Sequence, residues 1–283
     1  MAIEYLNDGA TSFAAANWAT ITGTGGSGFA DAATLIVPGG GASITAGLDQ
    51  SAAATTGIGY LILTEPFSGN VGSSASPLIV EASDGTIAEW RSDNTESRIE
   101  HHGTGTVYVQ GSDTGIANLM QCGNGSTVLI SGTATYARVQ KGKFQAEAAS
   151  VVTNFAAMGG TSVLGTKTSA GTLANIWGGS HTTQRPYTTM NVYGGTWIVN
   201  VYNAAAASTI NQYGGTVILL GHGNTAITAY NHFAGTFDPT RLRVDTTITT
   251  YTRQVGAVFA GRPNGATLTL TNSYRKDPNL PLV

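Results

Sequence analysis

One cysteine, Cys122, is all the chain has, so no disulfide framework can hold it together. Charge is also scarce. Asp, Glu, Lys and Arg make up 10% of the 283 residues, against ~25% in ordinary soluble domains. No Lys or Arg occurs before Arg91, and the bases beyond it are too dilute for a nucleic-acid footprint. No apolar run approaches the ~18 residues that cross a bilayer as a helix. The start, Met1-Ala2-Ile3-Glu4-Tyr5, has neither the basic nor the apolar segment of a secretory signal, which reads as a protein folded in a cytoplasm.

What the chain has in excess is glycine, 38 residues, and from Glu100 onward the glycine is periodic. The series runs Gly103, Gly123, Gly142, Gly160, Gly179, Gly195, Gly215, Gly235, Gly256, with spacings between 16 and 21. The clearest copies are Tyr193-Gly194-Gly195-Thr196, Tyr213-Gly214-Gly215-Thr216 and Phe233-Ala234-Gly235-Thr236. A period near twenty with a fixed turn residue predicts an all-β solenoid, a parallel β-helix with one coil per period. Short runs earlier in the chain, Thr34-Leu35-Ile36-Val37, Tyr60-Leu61-Ile62-Leu63 and Leu78-Ile79-Val80, read as strands and extend the helix toward its start. The organisation expected is an N-terminal cap over residues 1–31, a β-helix over 32–272 that is clearest over 100–260, and an extended arm over 273–283. The cap would be short and helical or irregular around Ala14–Ala19, and Ser83–Glu100 would be a charged surface loop. Pro278 and Pro281 exclude a central strand in the arm.

Overlaying the coils produces columns. Two residues before the turn glycine lie Met158, Trp177, Tyr193, Tyr213 and Phe233; four before it lie Asn175, Asn191, Asn211 and Asn231. Equivalent residues of a parallel solenoid stand about 4.8 Å apart. Trp177, Tyr193, Tyr213 and Phe233 therefore form a stack of rings, and the asparagines a hydrogen-bonded amide ladder. Residues two apart share one side of a strand. The column between them, Val192, Gln212, His232 and Arg253, grows polar and is placed outward, which puts the rings and amides in the core. If the ring column faced solvent instead, Trp177, Tyr193 and Tyr213 would be a sugar-stacking platform.

Chemistry-bearing clusters are few. Asp238 and Asp245, with Arg241 and Arg243 between them and His222 and His232 nearby, are the best candidate for the two carboxylates that a glycosidase needs. A polar loop between coils, with charges pairing at the surface, is the preferred reading of them. Glu100-His101-His102 resembles a metal fragment, but adjacent strand residues point to opposite faces and no further ligands converge. Cys122 falls one coil after His102 and reads as a small filler. No catalytic, cofactor-binding or metal-binding residue is assigned.

Net charge is −3, split as −9 over residues 1–100 and +6 over 101–283. That asymmetry is a solvated surface or a means of docking on an oppositely charged partner or neighbouring copy. The Gly-Gly-Thr coils from Met158 to Thr236, the non-secreted start and the non-periodic head resemble right-handed β-helix proteins of bacteriophage virions. The resemblance covers architecture and composition over most of the chain and no family motif. It implies a structural virion component: a capsid decoration protein that docks on the shell, or a fibre or tailspike-like module, often trimeric. Host surface glycan would be the ligand of the tailspike alternative.

Overall fold

A computed structural model describes residues 4–7, 18–22, 33–48, 58–80, 98–111, 116–165, 171–184, 187–200, 208–221, 225–242, 246–261 and 267–273. Every regular element among them is a β-strand. The chain divides into two units, Met1–Thr168 and Ser169–Val283.

The first unit contains β1 (Glu4–Asn7), β2 (Trp18–Thr22), β3 (Ala33–Val37), β4 (Ile58–Leu63), β5 (Leu78–Val80), β6 (Arg98–His101), β7 (Thr106–Gly111), β8 (Ile116–Gln121), β9 (Ser126–Val139), β10 (Lys143–Ala157) and β11 (Thr161–Leu164). Strands β3, β4, β6, β8, β9 and β10 stack in parallel as one column. A second column runs through β7, the first half of β9, the first half of β10, and β11. Each coil is thus two strands joined by a glycine turn, then a return segment, at roughly 20 residues per coil. Stacking register puts Leu35, Leu61, Ile99, Leu119, Ala137 and Phe155 above one another, all buried. Each such buried Leu or Ile contributes about 1.5–3 kcal/mol.

At the start, β1 pairs in parallel with β3 and antiparallel with β2. Both strands fall within residues 1–31, where a helical or irregular segment is expected around Ala14–Ala19; at Trp18 and Ala19 the chain is strand instead. Trp18 and Ala19 lie in β2; Ala14–Asn17 are outside the described residues. Of Ser83–Glu100, expected as a surface loop, 83–97 lie outside the described residues and Arg98, Ile99 and Glu100 lie in strand β6; of 273–283, expected as the arm, Ser273 ends a strand (Thr267–Ser273) and 274–283 lie outside the described residues.

The second unit contains β12 (Leu173–Ile176), β13 (Ser180–Thr183), β14 (Thr189–Val192), β15 (Thr196–Asn200), β16 (Ser208–Gln212), β17 (Thr216–Leu220), β18 (Thr225–His232), β19 (Gly235–Asp238), β20 (Thr246–Arg253), β21 (Ala257–Phe259) and β22 (Thr267–Ser273). Even-numbered strands stack in one parallel column and odd-numbered strands in another. The fold is therefore the parallel β-solenoid that the glycine period predicts. Its core is a column of Ala174, Met190, Ile210, Tyr230 and Tyr251 facing a column of Trp197, Val217 and Phe237.

The turn glycines are required by geometry. Gly215 has φ +66°, and a Cβ on it would stand 2.5 Å from the Gly195 carbonyl oxygen and 2.6 Å from the Gly194 carbonyl carbon. Only glycine allows both the left-handed backbone and that approach. The glycine column does not pass through every residue of the sequence series. Thr106, Ser126 and Lys143 are in register, so the residues before them, Gly105, Gly125 and Gly142, form the column. Gly103 and Gly123 sit two residues earlier, because the first two turns are longer (Gly103-Thr104-Gly105 and Gly123-Asn124-Gly125). Gly103 and Gly123 also lack the positive φ of Gly142, Gly160, Gly179, Gly195, Gly215 and Gly235. At the other end Gly235 pairs with Ala257, so Gly256 falls one residue short of the column.

Candidate functional site: an outward Asn and aromatic face over an inward polar column

Strands β12, β14, β16 and β18 carry the two columns of interest. Asn175, Asn191, Asn211 and Asn231 are in one register. Each later amide donates to the earlier one: Asn191 Nδ2 to Asn175 Oδ1 at 2.9 Å, Asn211 to Asn191 at 2.9 Å, Asn231 to Asn211 at 2.8 Å. Two residues further on, the rings stack. Trp177 and Tyr193 have centroids 5.4 Å apart, Tyr193 and Tyr213 5.0 Å, Tyr213 and Phe233 4.8 Å, each pair 7° from parallel.

The side of the strand on which these columns stand is the reverse of the expectation. Trp177, Tyr193 and Tyr213 are 45%, 43% and 44% exposed, and Phe233 and the four asparagines are half-buried. The intervening column faces in: Val192, Gln212 and His232 are fully buried, and Arg253 is half-buried. The cause lies two residues upstream. Met190, Ile210, Tyr230 and Tyr251 share the face of Val192, Gln212, His232 and Arg253, and they supply most of the apolar surface. On the asparagine face the corresponding residues are Thr189, Thr209 and Ala229, which gain little from burial.

The inward polar side chains have a common task. Inward side-chain donors bond carbonyls at and beside the turns, adding to the backbone ladder where it already reaches them: the Gly215 carbonyl also accepts the Thr236 amide of the next coil at 2.8 Å. Gln212 Nε2 donates to the Gly215 carbonyl at 3.1 Å and to the Thr236 carbonyl at 2.9 Å. His232 Nε2 bonds the Gly235 carbonyl at 3.0 Å, and Arg253 bonds the Ala257 carbonyl through Nε and one Nη. His181, on the opposite strand column, bonds the Gly178 carbonyl at 2.7 Å. In the first unit Gln121 Nε2 donates to the Gly123 carbonyl at 2.8 Å, while its Oε1 receives Thr127 Oγ1 at 2.8 Å and His101 Nδ1 at 2.9 Å. Burial holds His101 and His232 down to pKa values of about 4 and lowers His181 as well, so these rings are neutral at ordinary pH. Neutral His232 then donates from Nε2 and accepts the Tyr251 hydroxyl on Nδ1 at 2.7 Å.

The other candidates resolve as follows. His101 points inward and His102 outward, where His102 Nε2 lies 3.1 Å from a Glu100 carboxylate oxygen. Among the described residues no group of three or more His, Cys, Asp or Glu converges on a common point. Cys122 is half-buried and its amide continues the stacking by bonding the His101 carbonyl. Asp238 Oδ1 accepts the Thr240 amide at 2.9 Å and the Thr240 hydroxyl at 2.6 Å, which closes a local turn. Its sequence partner Asp245, together with Arg243 and His222, lies outside the described residues. The inward donors were the functional residues missed by sequence reasoning. Their signal was the alternation Met190-Asn191-Val192, Ile210-Asn211-Gln212, Tyr230-Asn231-His232, read over five residues instead of three.

Comparison with protein-family models, curated proteins and solved structures gave no match to this chain.

Proposed function

We propose that the chain is a non-enzymatic structural component of a bacteriophage virion, a capsid decoration protein that works as a homo-oligomer, in the first place a trimer, and docks on the shell. One observation carries the structural reading. The polar and titratable side chains with the strongest environments, His101, Gln121, His181, Gln212 and His232, are spent on holding the turns of the coil. None is presented beside a carboxylate in an open cleft, as hydrolysis of a glycan would need. The outward columns are satisfied within themselves, amide on amide and ring on ring. A wall of this kind is stiff and low in charge, which suits a part that is assembled rather than one that turns over substrate. The virion location rests on the resemblance in architecture and composition. Mixing purified protein with isolated capsid shells and sedimenting the particles tests it. Co-sedimentation at fixed stoichiometry is expected; a protein left in the supernatant rejects the decoration role.

A fibre or tailspike-like reading, with host surface glycan as ligand, is favoured by the exposure of Trp177, Tyr193 and Tyr213. The geometry limits how it would work. Rings stacked face to face offer solvent their edges, so a sugar would meet ring edges, tyrosine hydroxyls and asparagine amides, with no open ring face to lie on. Incubation with bacterial surface polysaccharides separates the readings: retention or cleavage of the glycan favours the second, and neither is expected from the first.

A further inference from the structure

The outward ring column of the second unit places two phenols on adjacent coils. Tyr193 and Tyr213 have centroids 5.0 Å apart and planes 7° from parallel, and both rings are more than two-fifths exposed. Several bonds hold them in that relation. The parallel pairing of β14 with β16 sets Asn191 beside Asn211 and Val192 beside Gln212. The Asn211 amide donates to Asn191 Oδ1 at 2.9 Å, and the Tyr213 amide donates to the Val192 carbonyl at 2.7 Å. The register is thus fixed immediately before the rings. Trp177 and Phe233 flank the pair at 5.4 and 4.8 Å, and neither carries a phenol.

A second tyrosine pair in the same unit supplies the contrast. Tyr230 and Tyr251 are also one coil apart, with centroids at 5.6 Å, but they are tilted by 46° and fully buried. Both of their hydroxyls are committed, Tyr230 to Gln212 Oε1 at 2.6 Å and Tyr251 to His232 Nδ1 at 2.7 Å. Among the described residues, Tyr193 and Tyr213 are the tyrosine pair that combines ring contact with access from solvent.

We propose that Tyr193 and Tyr213 are a site of oxidative cross-linking, where a peroxide, acting through a one-electron oxidant of the haem peroxidase class, joins two successive coils as a dityrosine. Each phenol loses one electron to the oxidant and one proton to water. The spin of each tyrosyl radical is shared between the oxygen and the ring carbons ortho and para to it. The para carbon already carries Cβ, so the new carbon–carbon bond forms between an ortho carbon, Cε, of one ring and a Cε of the other. The hydrogen on each bonded Cε then moves to its own oxygen, which restores two phenols. In sum the pair loses two hydrogens, and one hydrogen peroxide is reduced to two waters. Forming the bond needs the rings to swing out of parallel, and their outer edges face solvent, where there is room for it. Held on adjacent coils, the two phenols meet at an effective concentration far above that of phenols on separate chains. With Cys122 as its sole cysteine the chain has no disulfide to tie coil to coil, and this bond would do so across twenty residues of sequence. The inference rests on the ring geometry alone, so its failure leaves the virion reading standing.

Treatment of the full chain with a haem peroxidase and hydrogen peroxide, followed by dityrosine fluorescence and peptide mapping, tests it. The expected product is one peptide pair joined through Tyr193 and Tyr213, lighter than the two separate peptides by two hydrogens. Its yield per chain is expected to be unchanged on serial dilution, as a bond within one chain requires. Tyr193→Phe and Tyr213→Phe keep the stack and are expected to keep the wild-type thermal midpoint, yet each should abolish the dityrosine emission. Tyr230→Phe removes a buried phenol and should leave the emission as it is. Absence of dityrosine in the wild-type chain overturns the proposal, as does a map that joins other tyrosines. Emission that persists in the Tyr213→Phe variant also overturns it. A product that disappears on dilution does so as well, because the bond then forms between separate molecules.

Discussion

The Tyr230 hydroxyl donates to Gln212 Oε1 at 2.6 Å, inside the core and one coil apart. Gln212 thereby uses every polar atom: the amide nitrogen serves two turn carbonyls and the oxygen receives the tyrosine. Burial pushes the Tyr230 hydroxyl well above its ordinary pKa, so it remains a donor over the whole working range. Buried groups left without a partner are penalised more than matched pairs are rewarded.

Replacing one member of this pair should therefore cost more than its share. Tyr230→Phe strands the glutamine oxygen and is expected to destabilise by roughly 1–3 kcal/mol. Gln212→Leu leaves the tyrosine hydroxyl without its acceptor and takes one donor from each of two carbonyls, and should cost more. In the double variant the loss is expected to be clearly smaller than the sum of the singles, measured by urea unfolding as a double-mutant cycle. Strict additivity would show that the bond does not couple the two coils.

Turn glycines should differ sharply by position. Gly215→Ala combines a left-handed backbone with backbone atoms inside contact distance, and about 2–4 kcal/mol of destabilisation is expected. Gly256→Ala has φ +97° but open space around it, so only the strain of roughly 1 kcal/mol applies. Thermal unfolding of the two variants side by side reads the difference. Equal effects would show that stacking above the turn is irrelevant.

The exposed ring column is expected to matter for stability despite its exposure. Tyr213 stacks on Tyr193 below and Phe233 above. Tyr213→Ala removes both contacts, at about 0.5–1.5 kcal/mol each beyond area burial. Tyr213→Phe keeps them and should be nearly neutral. If the alanine variant unfolds at the wild-type denaturant concentration, the stack is decoration only.

Acid should loosen the coils through the buried histidines. His101 and His232 titrate near pH 6.5 when unfolded and at about 4 when folded. Above pH 6.5 both states are neutral and their contribution to stability is complete. As pH falls from 6.5 toward 4 the unfolded chain takes up protons that the folded chain refuses, and stability is lost, by up to about 3 kcal/mol per histidine. A His232→Gln variant is expected to show a flatter fall in melting temperature over that window. An unchanged slope would locate the acid sensitivity elsewhere.

Much of the architecture was legible because glycine at the turn is dictated by backbone geometry, which tertiary context cannot relax. Tyr193, Tyr213 and Phe233 lie on successive coils because the twenty-residue spacing permits little else. Which side of the strand faces in was misread, and the reason is specific. Asparagine and aromatic residues on one side, and Val192, Gln212 and His232 on the other, differ little in mean hydropathy, so a three-residue window has no preference. The deciding residues, Met190, Ile210, Tyr230 and Tyr251, stand one step outside that window. The register at Gly103 and Gly123 was misread because each turn offers two glycines, and only the pairing of Thr106 with Ser126 shows that the second is the one that stacks.

Because each asparagine hands its amide hydrogen to the neighbour beneath, the row has a direction. The bonds all point toward Asn175, and their dipoles add along the stack. Beyond Asn231 the same register position is held by a threonine, Thr252, instead of another amide. The polarity of the wall is thus written into four side chains, and the two faces that a neighbour could approach along it are electrically unlike.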